Sequence, residues 1–588
     1  MGEPWNEWRD HILRPLAKNR SPGPDVERMG GIALLSADTD RTQEYVFESS
    51  RLPEIRGSSL LLTRLNEGEA QVDNGMPRNI KGVFQKHGLP HNSISDDQPG
   101  CIVYAGGGSL LALVPREAVS DLVSGIERLF PRETDMATIT CIWREVEADD
   151  IISHFDQLMT VQEMALKRTK GLKEYRPVVE TLPFAQRCRS CGQRPATTTL
   201  LIGGDAHVIC APCRRKHDYG TGGNRWHWLG DEQKGFDAFL EGTGQKADFY
   251  ASCDEEKLER ATPNDLSDIG AAARGKKSGY IGFIYADGDE VGDYVQSQTT
   301  MQEYHNASDQ LATITRESVF RALADSLTCR RITRKKADKP DEEEKVGLVP
   351  FEIITIGGDD VLLIVPADAA LEVARRMSQN FSEVIAGVER EDERALTMSV
   401  GVVIAQHHTP VSTLRDLAGQ LLKHGSKVRR RQTKEDGDPE SCVDFLVLKS
   451  QAMLGSTLGE LRSEPPYLIK RAGEKLLLTH NPYTLSELEY LLNDLKDLRA
   501  SGFPTSQLHL LASTLQKGRY AATLFYQYQI ARLQKVNDEQ AQILIDLGQR
   551  WSPTHSVDPV PWSRTHTRGA KYQTALADLA ELYDFAPE

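Results

Sequence analysis

The chain has 588 residues, of which 39% are apolar and 26% are charged, and its formal net charge is −15. This composition is typical of a folded globular protein with roughly three or four domains. The acidic balance argues against broad, non-specific coating of nucleic acid but leaves room for a local basic groove. No apolar run reaches the roughly 20 residues that a membrane span needs, and the N-terminus lacks the pattern of a signal peptide. We therefore expect a cytoplasmic protein with no membrane partner.

The N-terminal part of the chain predicts a strand, helices, a hairpin, a helix and a strand. The first strand ends at Asp38-Thr-Asp40, and a glycine turn at Gly106–Ser109 divides the hairpin. We predict these elements in chain order: strand 31–37, helices 41–50 and 60–65, a loop over 67–99, strand-turn-strand over 101–115, helix 116–130 and strand 137–145.

Residues 279–450 predict the same order of elements. A strand at 280–286 ends at Asp287-Gly-Asp289, and two β-rich runs flank Gly357-Gly-Asp-Asp360. Helices are predicted at 303–328 and 367–388, and a strand at 396–405. From Asp38 to Gly106 is 68 residues, and from Asp287 to Gly357 is 70. This shared spacing indicates an internal repeat.

Each repeat has the βαββαβ order of a ferredoxin-like fold, in which the first strand lies beside the hairpin. We therefore expect Asp287 to lie near Asp359 and Asp360. Three converging carboxylates are typical of a divalent-metal site for phosphoryl or nucleotidyl transfer. A solvated turn is the alternative for the Gly357-Gly-Asp-Asp360 segment alone, because Asp and Gly are common in turns. The first repeat keeps Asp38 and Asp40 but has no carboxylate pair at its turn, which indicates a degenerate copy.

Four cysteines between the repeats form two Cys-x-x-Cys pairs, Cys188/Cys191 and Cys210/Cys213. Two such pairs at this spacing predict a tetrahedral structural Zn²⁺ site. The other cysteines are predicted to be buried thiols rather than disulfides; they are Cys101, Cys141, Cys253, Cys329 and Cys442.

Two charged segments and a helical C-terminus complete the pattern. Residues 330–346 predict a solvated loop inserted before the second hairpin. The helix near 411–430 ends with Lys423 and Lys427, which either complement the helix dipole or bind phosphate. The C-terminal region from about 480 onward has helical periodicity, and its segment 519–532 predicts an amphipathic core helix or, alternatively, a docking surface.

With these residues noted, the chain resembles the large palm-polymerase subunit of type III CRISPR effector complexes, closest to the type III-B (Cmr) form. The signature over 44–59, the cysteine pairs, the strand ending at Asp287, the Gly357–Asp360 hairpin and the strand 441–448 carry this resemblance. Because only about 30 residues precede the first palm, we expect no histidine-aspartate nuclease domain and no DNA cleavage.

The resemblance implies an α+β protein with two ferredoxin-like palm domains, a zinc-binding insert between them and a C-terminal α-helical domain. We expect the first palm at 1–150, the helical linker and zinc-binding four-cysteine module at 151–275, the catalytic palm at 276–455 and the helical domain at 456–588.

The resemblance further implies a nucleotidyl cyclase that joins ATP into cyclic oligoadenylate when the complex binds target RNA. Asp287, Asp359 and Asp360 would hold two Mg²⁺ (or Mn²⁺) ions. The second ATP would contact the first palm, including its turn at 106–108. The implied nucleotide-binding residues are Gly57, Ser58, Ser59, Gly357, Gly358, Lys423 and Lys427. The implied partners are other subunits of a type III complex and, through them, guide RNA and target RNA.

Three other functions remain open on the sequence. The same carboxylates would serve a related enzyme that joins AMP to S-adenosylmethionine. A diguanylate cyclase shares the palm and a similar turn. A non-catalytic scaffold is the third possibility, although the intact Asp287, Asp359 and Asp360 set counts against it.

Overall fold

A computed structural model provides the structure of the protein. It describes these residues: 5–23, 26, 29–95, 97–173, 184–202, 205–230, 234–275, 277–336, 342–387, 395–437, 439–449, 457–471, 473–552, 560–564 and 572–586.

The first palm is a four-stranded antiparallel sheet with helices packed against it. Its strands have the order β4-β5-β1-β6, which is the ferredoxin-like order for a βαββαβ unit. The elements up to the end of this sheet are α1 (Asn6–Trp8), a π-helical turn (Arg9–Leu13), α2 (Arg14–Ala17), β1 (Ala33–Thr39), α3 (Thr42–Val46), α4 (Leu52–Glu67), β2 (Val72–Asp73), β3 (Met76–Pro77), α5 (Ile80–Lys86), β4 (Ile102–Gly106), β5 (Ser109–Val114), α6 (Val119–Thr134) and β6 (Ile139–Glu145).

A helical linker and the cysteine module follow the first palm. The elements are α7 (Ala148–Ser153), α8 (Phe155–Leu172), β7 (Thr198–Ile202), β8 (Asp205–Ile209), α9 (Ala211–Tyr219), a 3-10 helix (Gly222–Trp226), α10 (His227–Gly230), α11 (Phe236–Thr243), α12 (Lys246–Glu255), β9 (Glu259–Ala261) and α13 (Leu266–Ala271).

The second palm repeats the fold of the first and extends its sheet. The order β13-β14-β10-β15 matches that of the first palm, and β16 and β19 continue the sheet beyond β15. The elements are β10 (Tyr280–Asp289), α14 (Val291–Gln296), α15 (Met301–Ser326), β11 (Arg330–Lys335), β12 (Glu343–Leu348), β13 (Glu352–Gly357), β14 (Asp360–Pro366), α16 (Ala370–Ala386), β15 (Thr397–Gln406), α17 (Val411–Leu421), a π-helical turn (Leu422–Ser426), α18 (Lys427–Glu435) and β16 (Cys442–Val447).

The C-terminal region is mainly helical. Thr484 and Glu487 form a capping box that begins α20, which satisfies backbone donors that the helix leaves unpaired. The elements are α19 (Leu458–Ser463), β17 (Leu468–Arg471), β18 (Glu474–Leu477), β19 (Tyr483–Thr484), α20 (Leu485–Ala500), α21 (Thr505–Leu515), α22 (Arg519–Leu533), α23 (Asp538–Trp551), β20 (Ser563–Arg564), β21 (Tyr572–Gln573) and α24 (Leu576–Leu582).

The predicted fold class is confirmed: two ferredoxin-like palms flank the cysteine module, and helices dominate the C-terminal part. A small sheet of order β17-β18-β21-β20 accompanies those helices and was not predicted. No helix in the described part of the chain has both the length and the apolar character that crossing a membrane requires. The domain boundaries after residues 150, 275 and 455 remain predictions.

Two segments predicted as loops contain regular structure. Within 67–99, the short hairpin β2–β3 and helix α5 are present, and Asn79 caps α5 through the amide of Gly82. Within 330–346, β11 and β12 form a hairpin that pairs with β9. The high charge of this hairpin is compatible with folding because its arginines form ion pairs, such as Arg330 with Asp368.

The prediction of free thiols is wrong for one cysteine pair. Cys253 of α12 and Cys329, just before β11, form a disulfide across 76 residues. Gly347 of β12 leaves room for it, because an added Cβ would lie 2.8 Å from the sulfur of Cys253. Cys101, Cys141 and Cys442 are buried thiols, as predicted.

Arg56 of α4 joins the two palms through a buried ion pair. Its Nε and Nη2 donate to the carboxylate of Glu352 on β13 at 2.7 and 2.5 Å. Its remaining donors reach the carbonyl oxygens of Gly220 and Pro263 at 3.1 and 3.0 Å. The Arg56 and Glu352 side chains are only 4% and 7% exposed, so each depends on the other for its counter-charge.

We predict that Arg56→Ala lowers the free energy of unfolding by about 3–5 kcal/mol, because it leaves Glu352 buried without a counter-charge. Urea unfolding followed by tryptophan fluorescence measures this. Arg116→Ala is the control, since it removes an exposed pair with Glu145, and exposed pairs contribute little. Equal effects of the two substitutions would contradict the prediction.

Candidate active site between the two palms

A cleft of about 710 Å³ lies between the palms and is lined by residues of both. Its first-palm wall includes Asp38, Ser59 and Gly107, and its second-palm wall includes Gly357 and Asp360. The two hairpin turns approach each other at this cleft. A Cβ added at Gly357 would lie 3.3 Å from the Cα of Gly107, so side chains at these positions would press the turns apart.

The turn of the second palm presents two adjacent carboxylates. Gly357 pairs with Asp360 at the end of the β13–β14 ladder, and Gly358 has a φ of +66°, which glycine adopts without strain. Asp359 lies over Gly288 of β10. A Cβ added at Gly288 would lie 2.9 Å from the Cβ of Asp359. Gly288 therefore provides the space in which Asp359 lies, while Asp360 lines the cleft.

Both carboxylates of the turn have raised pKa values. Burial, repulsion from Asp360 and repulsion from Asp289 raise the pKa of Asp359 to about 6. Burial also raises the pKa of Asp360 to about 6, although Lys423 opposes the shift. Raised acid pKa values mean that the two negative charges are poorly compensated by the surrounding protein.

Asp287 is adjacent to this turn but is held by a lysine. The β10–β14 ladder pairs Ala286 with Val361, so Asp287 and Asp360 occupy the next register position. The carboxylate of Asp287 accepts a hydrogen bond from Lys427. Sheet register thus places Asp287 next to the turn, and its role as a metal ligand stays a prediction. Across the described ranges, however, only the four-cysteine group has three or more metal-ligand atoms within 4.8 Å of one another.

Asp289, two residues after Asp287, is a further carboxylate that was not predicted as a site residue. It is buried and accepts hydrogen bonds from Thr397 and Ser399 of β15. Burial raises its pKa to about 6, and its charge contributes to the raised pKa of Asp359. The Asp-x-Asp spacing was the available signal for it.

The donor set on the second palm fits a hard divalent cation. Carboxylate oxygens are the ligands that Mg²⁺ and Mn²⁺ prefer. The raised pKa values of Asp359 and Asp360 indicate that added positive charge would stabilise their ionised forms. Lys427 now supplies such a charge to Asp287.

Five of the seven predicted nucleotide-binding residues lie in the cleft or at its edge, and two lie away from it. Ser59, Gly357 and Lys423 line the cleft. Gly358 is at the turn, next to Asp359, and Lys427 lies against Asp287. These residues are therefore in the cleft or at its edge.

Gly57 and Ser58 lie in the interior of α4 and serve its packing. A Cβ added at Gly57 would lie 1.8 Å from the carbonyl oxygen of Lys216, so Gly57 allows α9 to pack closely on α4. The hydroxyl of Ser58 is buried and donates to the carbonyl oxygen of Glu54 at 2.7 Å. Neither residue lines the cleft.

In the first palm, two lysines neutralise Asp38 and Asp40. One lysine lies in α8 and the other directly follows the end of this helix. Lys170 forms an ion pair with Asp38, and Lys173 donates to Asp40 at 2.9 Å. Asp40 also accepts from Thr138 and Thr140. Burial raises its pKa, but these hydrogen bonds and the charge of Lys173 outweigh burial and hold the pKa below its ordinary value.

The four module cysteines form a closed cluster suited to Zn²⁺. The sulfur atoms of Cys188, Cys191, Cys210 and Cys213 all lie within 4.8 Å of one another, and all four are free thiols. Arg194 donates to the sulfurs of Cys191 and Cys210 at 3.4 and 3.6 Å. Four thiolates at this spacing match a structural tetrahedral zinc site, and a guanidinium beside them offsets their charge.

Together, the fold and the cleft define a protein with two facing palm domains and one carboxylate-bearing turn. Residues 280–435 match the protein family described as Cas10/Cmr2, second palm domain. The match covers β10 to α18, which includes Asp287, Asp359 and Asp360.

Solved structures of Csm1 proteins have a similar fold. The crystal structure of a Csm1–Csm4 cassette in complex with cA3 shares 13% sequence identity at a TM-score of 0.51, covering 98% of this chain and 72% of that one. The crystal structure of Csm1 in T. onnurineus shares 12% at a TM-score of 0.50, covering 95% and 70%. A cassette with one ATP shares 14% at a TM-score of 0.50, covering 98% and 72%. No curated protein matches the chain.

We predict that the purified protein contains about one zinc ion per chain and that Cys210→Ser removes most of it, because a structural site needs all four thiolates. Inductively coupled plasma mass spectrometry measures the metal. Cys141→Ser, in β6 and outside the cluster, is the control and should retain the zinc. Full zinc content in Cys210→Ser would contradict the assignment.

Proposed function

We propose that this chain is the Cas10-like subunit of a type III CRISPR complex and that it joins ATP molecules 3′–5′ into cyclic oligoadenylate. The observation that carries this proposal is the cleft shared by two palms, with the Asp359–Asp360 turn on one side. The opposite turn, Gly106–Ser109, has no carboxylates. One side therefore suits metal-assisted chemistry, and the other suits binding of a second nucleotide.

In this proposal, Asp287, Asp359 and Asp360 hold divalent cations, which lower the pKa of an attacking 3′-hydroxyl and offset triphosphate charge. Lys423 lies in the cleft, where its charge already acts on Asp360, and it binds phosphate oxygens. Lys427 exchanges its contact with Asp287 for a phosphate contact. Gly357 and Gly358 let the nucleotide approach the backbone of the turn.

On the first palm, Ser59 and the Gly107–Gly108 turn form the wall for the second nucleotide. The backbone amide of Gly107 donates to Glu67 at 3.2 Å, and Gly108 accepts from the hydroxyl of Thr39 through its carbonyl oxygen at 2.9 Å. These bonds hold the turn in place without a metal. We assign it a binding role and no chemical step.

Similar structures support nucleotide binding at this fold. One Csm1–Csm4 cassette was solved in complex with cA3 and another in complex with one ATP. By analogy, we propose that this chain has other type III subunits as partners and meets guide and target RNA through them. The type III-B form is proposed on the sequence signature over 44–59 and the hairpin.

A second product remains a candidate, because the same carboxylates would also join AMP to S-adenosylmethionine. Incubation with ATP, with and without S-adenosylmethionine, followed by mass analysis of the products separates the two reactions. A parallel incubation with GTP tests the diguanylate cyclase alternative.

We predict that Asp359→Asn or Asp360→Asn lowers the rate of product formation from ATP by roughly a hundredfold or more, because each removes a charge from the metal-binding set. The rate is measured by chromatography of radiolabelled products, with the protein assembled with its partner subunits and target RNA. Asp205→Asn, at an exposed position of β8, is the matched control and should retain full activity.

If a folded Asp359→Asn, Asp360→Asn double variant in the assembled complex gives every nucleotide product at the wild-type rate, the product is made elsewhere in the complex. That result would reject the enzymatic function of this chain and favour the scaffold alternative.

A further inference from the structure

The internal repeat extends beyond the two palms to the helix that follows each of them. Helix α8 comes after β6 and packs on β1 and β6. The α17–α18 segment comes after β15 and packs on β10 and β15. Both helices therefore pack on the first and last strands of their βαββαβ unit. This correspondence allows side chains of the two helices to be compared directly.

Each helix supplies a lysine to the aspartate at the end of the first strand. Lys170 pairs with Asp38, 132 residues earlier, and Lys427 pairs with Asp287, 140 residues earlier. Asp38 lies opposite Thr140, and Asp287 lies opposite Ser399, in the equivalent ladders. Lys170 is thus the structural counterpart of Lys427.

A second pair of side chains, three residues further along the chain in each case, supports the same alignment. Lys173 donates directly to Asp40 at 2.9 Å. Arg430 donates to the hydroxyl of Thr397 at 3.1 Å, and that hydroxyl donates to Asp289 at 2.9 Å. Asp40 and Asp289 each lie two residues after the aspartate of the first pair, so cationic side chains at the same i, i+3 spacing act on equivalent aspartates, directly in the first palm and through a hydroxyl in the second.

Lys170 and Lys173 differ in what they can offer a ligand. Lys173 directs its ammonium group at three protein acceptors, which are Asp40, the carbonyl oxygen of Ile139 and the hydroxyl of Thr140. An ammonium has three N–H donors, so these acceptors match its full capacity. Lys170 donates to Asp38 and to the carbonyl oxygen of Thr39, the latter at 3.0 Å, and it lines the cleft.

We propose that Lys170 binds the polyphosphate of the nucleotide on the first palm, as the counterpart of Lys427 on the second. The first palm has no carboxylate pair at its turn and therefore no equivalent place for a metal ion. The ammonium group of Lys170, held by Asp38, supplies the positive charge for the phosphates on this side. Lys170 and the nearby Arg41 are cationic side chains on the first-palm wall of the cleft. This proposal rests on the proposed function, because it requires that the cleft bind two nucleotides.

The test measures binding of a non-hydrolysable ATP analogue by isothermal titration calorimetry, in Mg²⁺, with the protein assembled with its partner subunits. Lys170→Met should weaken one of the two binding events roughly tenfold or more, because a charge-assisted phosphate contact is lost. Lys170→Arg, which keeps the charge, should recover most of the affinity.

Two neighbouring lysine variants are the controls. Lys167→Met removes an exposed lysine paired along the helix with Glu163 and should leave binding within about twofold of wild type. Lys173→Met removes the contacts that Lys173 makes with Asp40. It should lower the melting temperature and leave the affinity for the analogue close to that of wild type. Melting temperatures of all four variants show whether each is folded.

The outcomes separate this proposal from the proposed function. If wild-type protein binds no nucleotide, the proposed function fails, and the role of Lys170 fails with it. If wild type binds two nucleotides and a folded Lys170→Met binds both with unchanged affinity, only the role of Lys170 is overturned. Loss of affinity in Lys170→Met and Lys167→Met alike would also overturn it, because the effect would then be one of general charge.

Discussion

The two palms share one apolar core, and the buried ion pair between Arg56 and Glu352 is the charged contact that constrains how they face each other. It is buried, bidentate and located between α4 of the first palm and β13, which leads into the Gly357–Asp360 turn. Arg56 also binds carbonyl oxygens of Gly220 and Pro263, so it joins the palms to the segments that follow α9 and β9. Because a buried charge without its partner is strongly unfavourable, the facing position of the palms is coupled to correct folding of both.

The two palms share a fold and differ in how they balance charge at the cleft. The first palm neutralises Asp38 and Asp40 with Lys170 and Lys173. The second places Asp359 and Asp360 together, with raised pKa values. The two copies of the repeat thus differ: the carboxylates of the first palm are already neutralised by lysines, whereas those at the turn of the second palm would be stabilised by an added cation. This difference is the physical basis for proposing that one palm binds and the other carries out the chemistry.

Much of the fold followed from the sequence because the repeat constrains it. The spacing from Asp38 to Gly106 and from Asp287 to Gly357 predicted both palms, and the family resemblance implied that a second nucleotide contacts the turn of the first palm. The packing of Gly57 against Lys216 and the pairing of Lys170 with Asp38 could not be predicted, since each contact joins residues more than 130 positions apart along the chain. The hairpin β11–β12 was missed because its buried position 330 is an arginine, whose partner Asp368 lies in the distant turn between β14 and α16.

The division of roles between the palms can be tested with a structure of the protein bound to a non-hydrolysable ATP analogue and Mg²⁺. We expect two nucleotides in the cleft, with metal ions on Asp359 and Asp360 and none on Asp38. We also expect Lys427 to turn from Asp287 toward phosphate. Nucleotides bound outside the cleft, or metal ions bound equally by both palms, would contradict this division of roles.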